Sequence, residues 1–194
     1  MITAFELIFT PLRAWNKINA AQGSVVRVLL LFLLPFLLFC VGIEGLALWK
    51  WGERRGEVDY VVKISQDLAI RYSAAQMGML MTSIFCGAKA LQWITQSFQV
   101  ATSDRQCATL MAYGFSPIIL LRLADAWPAM NTWVAWMIGA LLSVSVLYHG
   151  VALILKPEQT KGFGLYLISV IIVLLSSGLS HFVAVSVLHG KVLQ

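Results

Sequence analysis

The chain has 194 residues, 59% of them hydrophobic and 12% charged, with a mean hydropathy of +0.81, which excludes a soluble globular domain of ordinary make-up. A hydrocarbon layer about 30 Å thick takes roughly 20 apolar residues per helix, so this length allows about five or six spans and almost no extramembrane domain. The balance is basic, 14 Lys and Arg against 9 Asp and Glu; the charges are scattered and no polar face carries stacking aromatics, which argues for lipid headgroups rather than nucleic acid as their partner.

The first element is "FELIFTPLRAWNKI", in which Phe5, Ile8, Phe9, Leu12, Trp15 and Ile18 recur at intervals of three and four while Glu6, Arg13 and Lys17 fall elsewhere. This predicts an N-terminal amphipathic helix, broken or started at Pro11, lying in the headgroup layer. A cleavable signal would set its positive charge before a short apolar core ending in small residues, whereas the run that follows ends "LALWKW". Residues 1–27 are read as an arm and 28–194 as an all-α membrane domain.

Apolar runs in that domain predict five spans, at about 28–49, 74–94, 107–123, 132–155 and 163–188. The first holds Pro35 and Glu44. Lys50 to Arg71 is polar and of mixed sign, the one sizeable loop, with "VDYVVKI" inside it as a short amphipathic element. Only Lys89 interrupts the second span. The third ends at Arg122, with Asp125 and Pro128 beyond, and Arg122 and Asp125 have the i, i+3 spacing of a local ion pair.

Five spans put the termini on opposite sides. Arg13, Lys17, Arg27, Arg105, Lys156 and Lys161 then lie on the N-terminal side, against Lys50, Arg54, Arg55, Lys63, Arg71, Arg122 and Lys191 on the other. The count is nearly level, and the usual dominance of the first helix favours a cytoplasmic N-terminus.

Within the third span, "AYGFSPIILL" sets Tyr113, Gly114, Ser116 and Pro117 within five positions. Such residues are tolerated in a bilayer where neighbouring helices or hydroxyls satisfy the freed backbone groups, so this segment is expected to be a kinked helix enclosed by others. The kink either shapes packing alone or serves as a hinge or cavity wall with Tyr113 as polar lining. In the fourth span, Tyr148 suits an interfacial belt. His149, beside Gly150, is expected to be a hydrogen-bonded packing residue, because His181 and His189 stand in no ligand spacing with it.

Charges inside spans cost a few kcal/mol and need a partner or water. Glu44 and Lys89 fall near opposite faces if consecutive spans are antiparallel, so they are not expected to pair; Lys89 is expected to snorkel. Ser176, Ser180 and Ala184 form a small-residue ridge suited to close helix contact. Ser180 and His181 point about 100° apart on a helix and make no nucleophile–base unit. Cys40, Cys86 and Cys107 are read as buried small hydrophobes. No catalytic, cofactor-binding or metal-binding motif is present, which argues against an enzyme.

"PLRAWNKI" in the arm, five spans, the Tyr-Gly then Pro of "AYGFSP" and "LLSVSVLYHGVALIL" together resemble the Yip family of Ypt-interacting membrane proteins, which has a bacterial branch. The resemblance implies a compact five-helix membrane domain with a cytosolic N-terminus, and makes Pro11, Trp15, Tyr113, Gly114, Pro117, Tyr148 and Gly150 structural signatures. Eukaryotic relatives are associated with Rab-type GTPases and assemble with one another; bacterial relatives lack an assigned activity. Here the long cytosolic region is cut to about 25 residues and the Asp-Leu-Tyr-Gly-Pro motif is missing, which argues against a GTPase partner. The expectation is a non-enzymatic protein of a bacterial inner membrane that organises other membrane components, through a partner helix or self-association. The alternative is a small transporter or channel whose polar cavity is lined by Glu44, Tyr113 and His149.

Overall fold

A computed structural model describes residues 2–21, 24–55, 60–127 and 130–189. Apart from one short hairpin its secondary structure is helical. The arm forms α1 (Ile2–Phe9) and α2 (Pro11–Ala20). Then come α3 (Val25–Trp51), α4 (Gln66–Ser97), α5 (Asp104–Gly114), α6 (Ser116–Asp125), α7 (Thr132–Leu155) and α8 (Gln159–Leu188). Four stretches are long and apolar enough to cross a membrane: α3, the α5–α6 pair, α7 and α8. The 32-residue α4 is long enough as well, but Gln76, Lys89 and Gln92 lower its apolarity.

The arm starts its second helix at Pro11, where the missing N–H costs nothing. Its apolar residues do not form the single stripe expected. Thr10 takes a non-helical conformation (φ −137°, ψ 63°) that shifts the phase between the two helices. Ala4, Leu7, Ala14, Trp15 and Ile18 are buried against the bundle, whereas Phe5, Phe9 and Leu12 face outward.

In α3, residues Val28–Leu33 form a π-helical turn just before Pro35. A proline ring crowds the carbonyl four residues back, and the wider turn relieves that clash without ending the helix. The helix stops at Gly52, whose φ of +76° is open to glycine at little cost. The expected loop is shorter than its polarity suggested: Ser65 caps α4 through the Leu68 N–H, and Asp67 and Arg71 pair at 2.9 Å in its first turns. Strands β1 (Glu53–Arg55) and β2 (Tyr60–Val62) pair antiparallel, β2 falling within the stretch where a short element was expected. Val58 and Asp59 of that stretch, like Pro128 and Lys191, lie outside the described residues.

The two most extensive helix contacts are α4 with α8 and α6 with α7. The first uses the ridge expected from sequence. The hydroxyls of Ser83 and Ser180 lie 2.6 Å apart, and Ser83 also donates to the Ser176 carbonyl. In the second, Gly139 sits against the backbone of α6, where a Cβ would meet Ile118 Cα at 2.9 Å and the Pro117 carbonyl oxygen at 3.3 Å. The α5–α6 stretch is the most enclosed of the four, 72% buried against 33% for α3 and α8.

The segment break falls at Phe115. Pro117 has no N–H for the Tyr113 carbonyl four residues back; the Ser116 hydroxyl donates to it instead, at 2.6 Å. Cys40 and Cys107 are buried as expected. Cys86 is exposed on the outer face of α4 because its neighbours Gly87 and Ala88, not Cys86, turn inward.

Because the neighbours of Gly139 are backbone atoms, Gly139→Ala should separate α6 from α7 and cost about 1–3 kcal/mol. At Gly42 an added Cβ would meet nothing within 4 Å, so this position should tolerate Ala or gain up to about 1 kcal/mol. Thermal unfolding in mild detergent compares the two.

Candidate functional site

The densest polar assembly lies in the half of the bundle next to the hairpin. Its centre is Arg122, on the last turn of α6 and only 2% exposed. A guanidinium carries five N–H donors and no acceptor, so burial obliges it to find acceptors on neighbouring helices. It donates to Asp125 Oδ2 at 3.2 Å, one turn along α6, and to His181 Nδ1 on α8 at 2.7 Å. Glu44 Oε1 on α3 stands 3.8 Å from Nη1. His181 must accept at Nδ1, which places its proton on Nε2 and leaves the ring neutral.

Each partner has partners of its own. Tyr72 and Gln76, one turn apart on α4, donate to the two oxygens of Glu44, Gln76 at 3.1 Å. Thr132, in the first turn of α7, donates to Asp125 at 3.1 Å. Trp133 meets the His181 ring edge-on at 4.5 Å, and Trp136 lies parallel to it at 6.3 Å. Elements α3, α4, α6, α7 and α8 thus converge on one guanidinium and two carboxylates. Gln76 Oε1, Arg122 Nε, Asp125 Oδ1 and His181 Nε2 are buried without a protein partner, so the cluster holds more hydrogen-bonding capacity than its own groups use.

Of the candidate site residues named from sequence, only Glu44 belongs to this cluster. Lys89 lies elsewhere, as expected of antiparallel neighbours: it is exposed and pairs with Asp104 at 3.1 Å. Arg122 and Asp125 do pair at the end of α6, and both side chains are buried there. Ser180 faces α4 while His181 faces α6, so they form no unit. Tyr72, Gln76, Thr132 and His181 carry no signal in the sequence as a set, because their partners lie on other helices.

Most of the residues that the resemblance singled out lie at the opposite end, around the arm. Trp15 is fully buried and donates its indole N–H to the Val146 carbonyl at 2.9 Å. Gly150 makes this possible, since a Cβ there would lie 2.6 Å from the Trp15 ring and 2.7 Å from Leu110. Tyr113 packs edge-on to Trp15 and stacks on Phe32 at 4.1 Å. Gly114 lies under Leu147 and Pro117 is buried, while Pro11 starts α2. Tyr148 points outward and packs on Tyr166, and His149 lies edge-on to Tyr148 and bonds the Ser145 carbonyl of its own helix.

None of the described cavities brings Glu44, Tyr113 and His149 together. Among the described residues no group of three or more His, Cys, Asp and Glu is placed to hold a metal ion. The model of the Yip1 domain family matches residues 5–180. No curated protein and no solved structure matches the chain.

Arg122→Met leaves Glu44 and Asp125 buried without their cation and should cost about 3–5 kcal/mol, part of which Glu44→Gln recovers in the double variant; unfolding of the four proteins in detergent yields the coupling. At the other end, Gly150→Val should expel Trp15 and undock the arm. Trypsin should then cut at Arg13 and Lys17 at least about tenfold faster than in the wild type, in proportion to the opened fraction.

Proposed function

Because the chain belongs to the Yip1 domain family, we propose that it is an integral membrane protein that organises other membrane components and catalyses no reaction, placed in a bacterial inner membrane with five spans and a cytoplasmic N-terminus. The observation that carries this reading is how the interior charges are used. Glu44 and Arg122 are 1% and 2% exposed and engaged with groups of the same bundle. What the helices offer outward is apolar: Leu30, Leu31 and Leu38 on α3, Met137 and Leu141 on α7, Leu175 and Leu179 on α8.

Five spans are supported by the course of the chain, which runs to the hairpin end along α3, back along α4, and out again along α5 and α6. Helix α7 then returns to the arm end and α8 runs out again to the hairpin, where His189 meets Glu53. Exposed Trp49, Trp51, Trp127 and Trp133 mark the hairpin end, and Trp93, Tyr148 and Phe163 the other, as interfacial girdles do. Phe5, Phe9 and Leu12 on the outward side of the arm suit insertion at the headgroup level. With Arg122 buried, the loop cations counted on the two sides are level, and the usual dominance of the first helix favours a cytoplasmic arm.

Photo-crosslinkers placed at Leu141 and Leu175 in native membranes should return the same membrane-protein adduct, or a second copy, in repeated preparations. In liposomes the protein should give no solute flux that depends on Glu44. Adducts to lipid alone would count against an organising role, and flux abolished by Glu44→Gln would establish the transport reading in its place.

A further inference from the structure

The arm end carries a polar feature that the organising role does not use. Two cavities, of about 200 and 320 Å³, meet where α2, the first turns of α3 and the first turns of α5 converge, and they share Ile18, Arg105 and Thr109. Arg27 lines the larger one together with Arg105. Lys17, Lys89 and Lys161 at this end are matched, to Glu6 at 2.7 Å, Asp104 at 3.1 Å and Glu158 at 3.1 Å, and Arg13 and Lys156 line neither cavity. Arg27 and Arg105 have no ion-pair partner among the described residues.

Two guanidinium groups lining one space without a carboxylate repel each other unless an anion joins them, and their planar forks suit phosphate oxygens. Asn19 and Thr109 add neutral polar groups on the walls. The start of α5 contributes nothing separate, because Ser103 and Gln106 already satisfy each other there as a capping box.

The remaining wall is apolar. Val28, Leu31 and Phe32 of α3 continue from the cavity toward the outer surface, where Leu31 is 73% exposed. The order of groups, Arg27 at the start of α3 with Arg105 at the start of α5 and then a hydrocarbon face along α3, matches that of a glycerophospholipid. We propose that Arg27 and Arg105 form a binding site for a phosphate-bearing anion, supplied by an anionic glycerophospholipid whose acyl chain lies along Val28 and Leu31. The site rests on the reading of the chain as an integral membrane protein, and it stands whether or not the protein organises others.

The test is thermal unfolding of the full chain in mild detergent at fixed ionic strength, titrated with short-chain phosphatidylglycerol, short-chain phosphatidylcholine or inorganic phosphate. Phosphatidylglycerol should raise Tm saturably and the other two should not. Arg27→Gln with Arg105→Gln should leave the unliganded Tm near the wild-type value and weaken the apparent affinity at least about tenfold, as expected for two interfacial cations. Arg13→Gln, on an exposed residue outside the cavities, should leave the titration unchanged. A rise with inorganic phosphate equal to that with phosphatidylglycerol would overturn the lipid source. Equal rises with the two lipids, no rise with any ligand, or a rise undiminished in the double variant would overturn the site.

Discussion

An arginine inside an apolar bundle must be surrounded by acceptors, and meeting that demand aligns the helices of this protein. Between helices in lipid the hydrophobic effect supplies little preference, since acyl chains are as apolar as leucine. Dispersion contacts hold the helices together but tolerate sliding and rotation. Arg122 does not, because Glu44, Asp125 and His181 must arrive within hydrogen-bonding or ion-pair range from three directions. Tyr72 and Gln76 then fix α4 against α3 through Glu44, and Thr132 fixes the start of α7 through Asp125.

The break at Phe115 serves the same end. Upstream, α5 packs foremost on α4 and less on α3 and α7; downstream, α6 packs on α7 and α3. A continuous rod would have to satisfy both sets with one axis, while two segments can each follow their own neighbours. The local requirements are met within the chain, with the Tyr113 carbonyl taken by Ser116 and the close passage of α7 permitted by Gly139. Weak helix formers are tolerated there because the surrounding helices, not intrinsic propensity, hold the segment in shape.

Features that depend on one helix at a time were legible in the sequence: the positions of the apolar runs, the start of α2 at Pro11, the serine ridge of α8 and the enclosure of "AYGFSP". The fourth span and its observed helix share the bounds Thr132 and Leu155. What was not legible depends on phase and on partners. The arm stripe failed because Thr10 resets the helical register, and the loop before α4 was overestimated because Ser65 and Asp67 read as polar loop residues when they were cap and first turn. Arg122 looked like the end of a span. A helix continued to Asp125 puts it inside, and a buried arginine then calls for a carboxylate on another helix, with Glu44 the unpaired candidate. Nothing in periodicity could have added Tyr72, Gln76 or His181, whose roles exist only once α3, α4, α6 and α8 are side by side.

The two ends of the bundle are built on opposite principles. Near the hairpin, opposite charges are enclosed together and their attraction is shielded from water and salt, so the cluster acts as a fixed joint. At the arm end, apolar and aromatic contacts do the closing: Trp15 sits over Gly150 against Tyr113, and the cations Arg27 and Arg105 remain at the rim facing a cavity. Ile18, one turn beyond Trp15 on α2, is also a wall of that cavity. The contact that docks the arm therefore also shapes the space beside it. Trp15 of the arm, Tyr113 of α5 and Gly150 of α7, far apart in the chain, meet in a single packed junction because α2, α5 and α7 converge there.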